Sequence, residues 1–215
     1  MRTYILRLIV NLQESLGERD TDGVFMRSFS ALCLAEIIQY DTKHPFLDRD
    51  EIYNLLAKAL DYLESERDPR GYVSGKGWAH ALAHTADLLY VPAQHGHTGR
   101  EEHARILDGI QAALIRPTDW VYIHGEDERL VRAVLAVFAR QLFDEPDLRV
   151  WLMGFGAEVT DWRGSYADEA RQTAYFNTKI FLRCLYQMVS AQESLPAREA
   201  LQKDVADAIQ SMRQF

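Results

Sequence analysis

Apolar positions recur with a helical period along almost the whole chain. In the first segment Ile5, Leu8, Ile9, Leu12 and Leu16 fall on one helix face. GERDTDG, with two glycines and polar turn formers, ends that segment. The spacing predicts a second helix over about Val24–Tyr40, with Phe25, Phe29, Leu32, Cys33 and Ile37 on its apolar side. A third opens at Asp48, which stands three residues before Glu51 as in a capping box, and carries Ile52, Leu55, Leu56, Ala59, Leu60 and Leu63. Pro69, Gly71 and Gly75 mark Glu66–Gly75 as a loop.

A fourth helix is predicted from about Gly77 to Tyr90, near Pro92. The fifth carries Ile106, Ile110, Leu114 and Ile115 and stops at Pro117; the sixth runs from about Glu126 to Phe143. Pro146 opens a seventh that stops at Gly154 and Gly156, Asp168–Val189 forms the eighth, and Pro196 opens the last. No segment alternates convincingly as a strand. Helix pairs spaced by roughly 40–45 residues suit a HEAT-type array. The expected fold is therefore all-α: antiparallel helix pairs stacked as a HEAT/ARM-like right-handed superhelix, with residues 1–215 forming a single domain.

Charge and cysteine content narrow the function. The formal net charge of −8 argues against nucleic acid or an anionic membrane as a general partner, because both want a basic surface. The N-terminal apolar stretch is broken by Arg7 and Asn11, so it reads as an amphipathic helix and not as a signal peptide. No run approaches the ~18 apolar residues of a membrane span. Cys33 and Cys184 sit in apolar helical patterns without CxxC spacing, as expected of buried reduced thiols in a cytoplasmic protein.

The most informative stretch is Asp68–Asp87, DPRGYVSGKGWAHALAHTAD. On a helical wheel Trp78, Leu82 and Leu89 cluster within about 40°, and His80, His84 and Asp87 within about 60° on the opposite side. Three roles compete for that stripe. His80, His84 and Asp87 have the spacing to share a metal ion, although no HExxH pattern is present. The same groups suit a small-ligand or acid–base site, since imidazole titrates near neutrality. They suit equally well a purely structural role, each histidine bonded to a carbonyl or carboxylate. The glycines ahead of the stripe lack the GxxxxGK[ST] arrangement and serve tight turning.

Three further clusters stand out. In His124-Gly-Glu-Asp-Glu-Arg129 the acids suit a helix N-terminus, or Glu126 or Asp127 faces the same space as His80 and His84. Asn177, Lys179 and Arg183 lie among aromatics, as snorkelling stems or as grips for an anion. His95 and His97 read as exposed loop histidines. No GxSxG elbow is present, and no motif assigns a cofactor.

The blocks VFMRSFSALCLAEIIQYD, DPRGYVSGKGWAHALAHTADLL, GEDERL and NTKIFLRCLY, in that order between Val24 and Tyr186, resemble those of DUF2785, a bacterial family of uncharacterised proteins. The resemblance implies an α-helical, HEAT- or ARM-like fold and assigns no activity. It points to Arg70, Gly71, Trp78, His80, His84 and Asp87, and through the later blocks to Glu126, Arg129, Asn177 and Lys179. Family members carry more sequence before the first block, so part of the usual N-terminal cap is expected to be missing.

The leading expectation is a binding or scaffold module that recognises a protein or small ligand on its concave face. The alternative is an enzyme, such as a metal-dependent hydrolase using His80, His84 and Asp87. A homo-oligomer is also consistent, through an aromatic surface at Trp151, Phe155 and Trp162, unless those residues cap the core.

Overall fold

The computed structural model describes residues 1–213. Nine α-helices carry the fold among these residues: α1 (Arg2–Gln13), α2 (Gly23–Asp41), α3 (Arg49–Ser65), α4 (Ala81–Gln94), α5 (Arg100–Ile115), α6 (Glu126–Ala139), α7 (Glu145–Met153), α8 (Glu169–Ala191) and α9 (Arg198–Ser211). Two two-residue strands, β1 (Tyr72–Val73) and β2 (Gly77–Trp78), form an antiparallel hairpin before α4. Among the described residues no helix is long and apolar enough to cross a membrane.

The helices form two layers. α2, α4, α6 and α8 lie side by side in that order. Against them pack α1 on α2, α3 on α4, α5 on α3, α6 and α8, and α9 on α8, with α7 against α9. The core between the layers is continuous, from Leu12, Ile38 and Leu56 through Leu89, Ile110 and Val134 to Phe155, Phe181 and Val205.

Local signals set several boundaries. At α3 the Asp48 carboxylate accepts the Glu51 N–H at 2.9 Å and the Glu51 carboxylate accepts the Asp48 N–H at 2.9 Å, so the expected capping box is formed. Asp144 and Asp168 cap α7 and α8 through side-chain oxygens. α6 stops at Ala139, short of Phe143, where Gln141 takes φ 52°.

Four expectations need correction. First, α4 starts at Ala81, not Gly77: Gly77 and Trp78 belong to the hairpin, and His80 precedes the helix in a left-handed conformation. Second, α2 is rotated from the face its large apolar residues suggest. It buries Val24, Arg27, Ser28, Ala31, Leu34, Ala35 and Ile38, while Phe29 and Cys33 are exposed. α2 is flanked by α1 and α4, and its small residues let both approach closely. Third, of the two readings open for Trp151, Phe155 and Trp162, the exposed aromatic surface falls and the core one stands, since all three are buried. The Trp151 and Trp162 indoles donate to the carbonyls of Leu107 and Phe155 at 3.0 and 2.8 Å. Fourth, His95 is buried, with Nε2 3.0 Å from the Asp41 carboxylate.

Candidate functional site

The hairpin delivers the first part of the site. Gly75 and Gly77, both at positive φ, turn the chain so that Tyr72 pairs with Trp78. Ala79 N–H then bonds the Gly71 carbonyl at 2.8 Å, and His80 N–H the Arg70 carbonyl at 3.1 Å. His80 takes φ 50°, ψ 36° and passes directly into α4. A non-glycine residue in that region is strained, and such strain concentrates where side-chain placement matters.

The rings gather around this turn. Trp78 lies on His80 with centroids 4.3 Å apart, and Tyr72 meets Trp78 edge-on at 5.0 Å. His84, one helical turn on, stands edge-on to His80 at 5.7 Å and to Phe29 of α2 at 5.0 Å. From the segment leading into α6, His124 approaches Trp78 at 5.5 Å and His80 at 6.5 Å, and Trp120 stacks on His124 at 6.0 Å. That segment is clamped by α8: Asn177 accepts the Tyr122 N–H at 3.0 Å and donates to the Trp120 carbonyl at 2.8 Å.

Glu126, 1% exposed, accepts the His124 N–H through Oε2 at 2.8 Å. Its Oε1 lies 3.9 Å from His124 Nδ1. Gly71 presses against both side chains. A Cβ there would stand 2.4 Å from His124 Nδ1 and 3.0 Å from Glu126 Oε1. Its role is close approach, beyond the turning expected of it.

What distinguishes this cluster is its unmade hydrogen bonds. His80 Nε2, His84 Nδ1, His124 Nδ1, Glu126 Oε1 and Trp120 Nε1 are all buried without a partner. They are five of the nine such side-chain atoms among the described residues. A buried polar atom left bare costs about 1–3 kcal/mol, so proteins normally pair them. Burial lowers the His80 pKa, and burial together with His80 and Arg129 lowers that of His84 to about 4. Both rings are therefore neutral at pH 7. Against burial, the Ser28 backbone favours a protonated His84, and Glu126 and the His124 backbone favour a protonated His80, but burial prevails in both.

Other expected residues lie beside the cluster and not in it. Asp87 is bound by Arg129, with Arg132 4.0 Å away, and burial raises its pKa despite Arg129. It bridges α4 to α6 and is not turned to the imidazoles as a third ligand. Among the described residues no group of three or more His, Cys, Asp or Glu is placed to hold a metal ion. Asp127 acts on Cys184 of α8, whose thiol is pushed up to about 12 by burial and then by Asp127 and Glu128. Arg70 grips Asp68 at 2.6 Å and the Thr21 carbonyl at 2.7 Å. Lys179 donates to the Tyr175 hydroxyl at 2.7 Å with its ammonium over the same ring, the snorkelling arrangement. Trp120 was missed, since its segment has no local signature; His124 headed a cluster of which only the acids were read toward the site, and Phe29 was read only as an apolar helix position.

Neither curated proteins nor solved structures yielded a match. Residues 12–187 match the family described as "Protein of unknown function (DUF2785)", and the chain belongs to that family.

Proposed function

We propose that the protein is a binding module for a small ligand rich in N–H or O–H donors. The ligand is read by His80, His84, His124 and Glu126 and seated against Trp78, Trp120 and Phe29. The observation that carries this reading is the convergence of five unpartnered buried polar atoms: the Glu126 carboxylate oxygen, an acceptor, the Trp120 indole N–H, a donor, and three imidazole nitrogens that take either role. An amine, a guanidine or a polyol supplies the matching donors, and aromatic faces also favour a cation. Trp78 and Phe29, 46% exposed each, form the accessible rim.

The alternation of two helix layers supports the HEAT/ARM-like stacking of helix pairs. The two unpaired cysteines fit a cytoplasmic setting. The hydrolase alternative has weaker support. His84, at about 4, is a poor base near neutrality, and Asp87 is engaged by Arg129.

The test is a titration of the full chain with a panel of primary amines, guanidines and polyols, followed by tryptophan emission and melting temperature. A ligand of this class shifts both in the wild type and neither in His84→Leu. The proposal is overturned if no member of the panel shifts either signal, or if His84→Leu responds as the wild type does.

A further inference from the structure

A cavity of about 400 Å³ lies on the other side of the first turn of α4, between the 66–69 and 116–119 loops. Leu63, Leu82, Ala113 and Tyr122 form its apolar wall. Three arginines, Arg19, Arg67 and Arg116, and three acids, Glu66, Asp68 and Asp119, line it, but each of the acids is already paired. Glu66 is paired with Arg27 at 2.6 Å, Asp68 with Arg70 at 2.6 Å, and Asp119 with Arg19 at 2.7 Å. Arg67 and Arg116 are left over. Neither has a carboxylate within 4 Å among the described residues, and the exposed Glu64 side chain acts on Arg116 only at a distance.

The two guanidiniums instead meet on one backbone oxygen. Nη1 of each donates to the Glu64 carbonyl at 2.6 Å. Burial, and then the charge of Arg67, lowers the Arg116 pKa. One such cation at the terminal carbonyls of α3 is favourable; a second, like-charged and without a counter-ion, is not. The first residues of α4, Ala81 and Leu82, also line the cavity, and His80 supplies no side-chain cap. The positive end of that helix thus adds to the same field.

We infer that this cavity binds a small organic anion, its phosphate or carboxylate head gripped by Arg67 and Arg116 and its apolar body against Leu82 and Tyr122. Planar guanidiniums suit either head through paired N–H donors. The inference is independent of the histidine cluster.

Calorimetric titration of the full chain at low salt with inorganic phosphate, phenyl phosphate and benzoate tests it. Saturable binding of phenyl phosphate or benzoate is expected, weakening as salt rises, and the stronger of the two identifies the head group. Phosphate alone binds less tightly, since it leaves the apolar wall uncovered. Arg67→Gln, on an exposed side chain whose loss leaves the fold intact, weakens binding by about tenfold or more, the worth of one charge-assisted contact. Absence of saturable heat with all three probes at millimolar concentration overturns the inference, as does wild-type affinity in Arg67→Gln.

Discussion

The segment 66–80 joins two buried polar clusters of opposite construction. On one side Arg27, fully buried, uses all five of its N–H donors. Nε and Nη2 reach the Glu66 carboxylate at 2.6 and 3.0 Å, and the remaining three go to the carbonyls of Glu14, Ser15 and Glu18. Glu66 also accepts the N–H groups of Arg67 and Asp68, each at 2.9 Å. On the other side His80, His84, His124, Glu126 and Trp120 leave five buried atoms bare. One bare atom, the Tyr62 hydroxyl, lies beside Arg27 and Glu66, against five around His80; that difference in saturation separates a network that fixes the fold from one that holds polar atoms ready for something else.

The largest effect is expected from Arg27→Ala. It strands the Glu66 carboxylate and three carbonyls, and breaking such a pair costs about 3–5 kcal/mol. Urea unfolding measures it. A loss below about 1 kcal/mol would show the saturated network to be dispensable and would remove the contrast.

Gly71→Ala comes next. Gly71 is outside the left-handed region, where a Gly→Ala change ordinarily stabilises slightly. Here the methyl meets the His124 ring at 2.4 and 2.8 Å, so a loss of about 1–3 kcal/mol is expected, with displacement of that ring and of the ligand response. The sign of the change therefore reports whether the hairpin truly presses on His124.

Much of the fold was legible because its signals are local. The Asp48–Glu51 box and the breaks around Pro117, Pro146 and Pro196 act within a few residues. α4 was misread at its start because Gly77–His80 continues the helical period in sequence, whereas a two-residue strand is too short to show alternation. α2 was misread because close packing rewarded Ser28, Ala31 and Ala35 over Phe29 and Cys33. At the site, His80, His84 and Glu126 were legible as residues, but the wheel that set Trp78 opposite His80 was wrong: the two rings are in contact. The pairing of Gly71 with His124, and the turn of Asp87 toward Arg129, are long-range facts of packing that no spacing encodes.

His84→Leu probes the bare cluster with a smaller change. It removes the unpartnered Nδ1 but also the edge-on ring contacts with Phe29 and His80, so the two effects offset to within about 1 kcal/mol at pH 7. Acid separates them. The unfolded chain protonates this imidazole near 6.5, while the native one resists until about 4. Wild-type stability contributed by His84 is therefore complete above 6.5 and is lost as pH falls toward 4, at up to about 1.4 kcal/mol per pH unit. His103, also held to about 4, first by burial and then by Arg140, keeps its own share in the variant. His84→Leu should thus become more stable than the wild type near pH 4.5 in urea unfolding. Parallel pH profiles would mean that His84 is not held neutral, and the two clusters would no longer differ in kind.

The smallest effect belongs to Lys76→Ala, which asks whether charge or ring packing seats the hairpin. Lys76 Nζ contacts the Asp22 carboxylate at 2.5 Å, yet both side chains are more than half exposed, at 53% and 68%. Water and salt screen such a pair, and its gain barely exceeds the entropy of holding a lysine in place. The hairpin has better anchors: Trp78 on His80, Tyr72 on Trp78, and the Ala79 N–H on the Gly71 carbonyl. Lys76→Ala should therefore leave both the urea midpoint and the tryptophan emission at wild-type values. A shifted emission with an unchanged midpoint would mean that the ion pair, and not the imidazole beneath it, positions Trp78. The aromatic rim would then be tunable by ionic strength, while the saturated network around Arg27, shielded from solvent, would not.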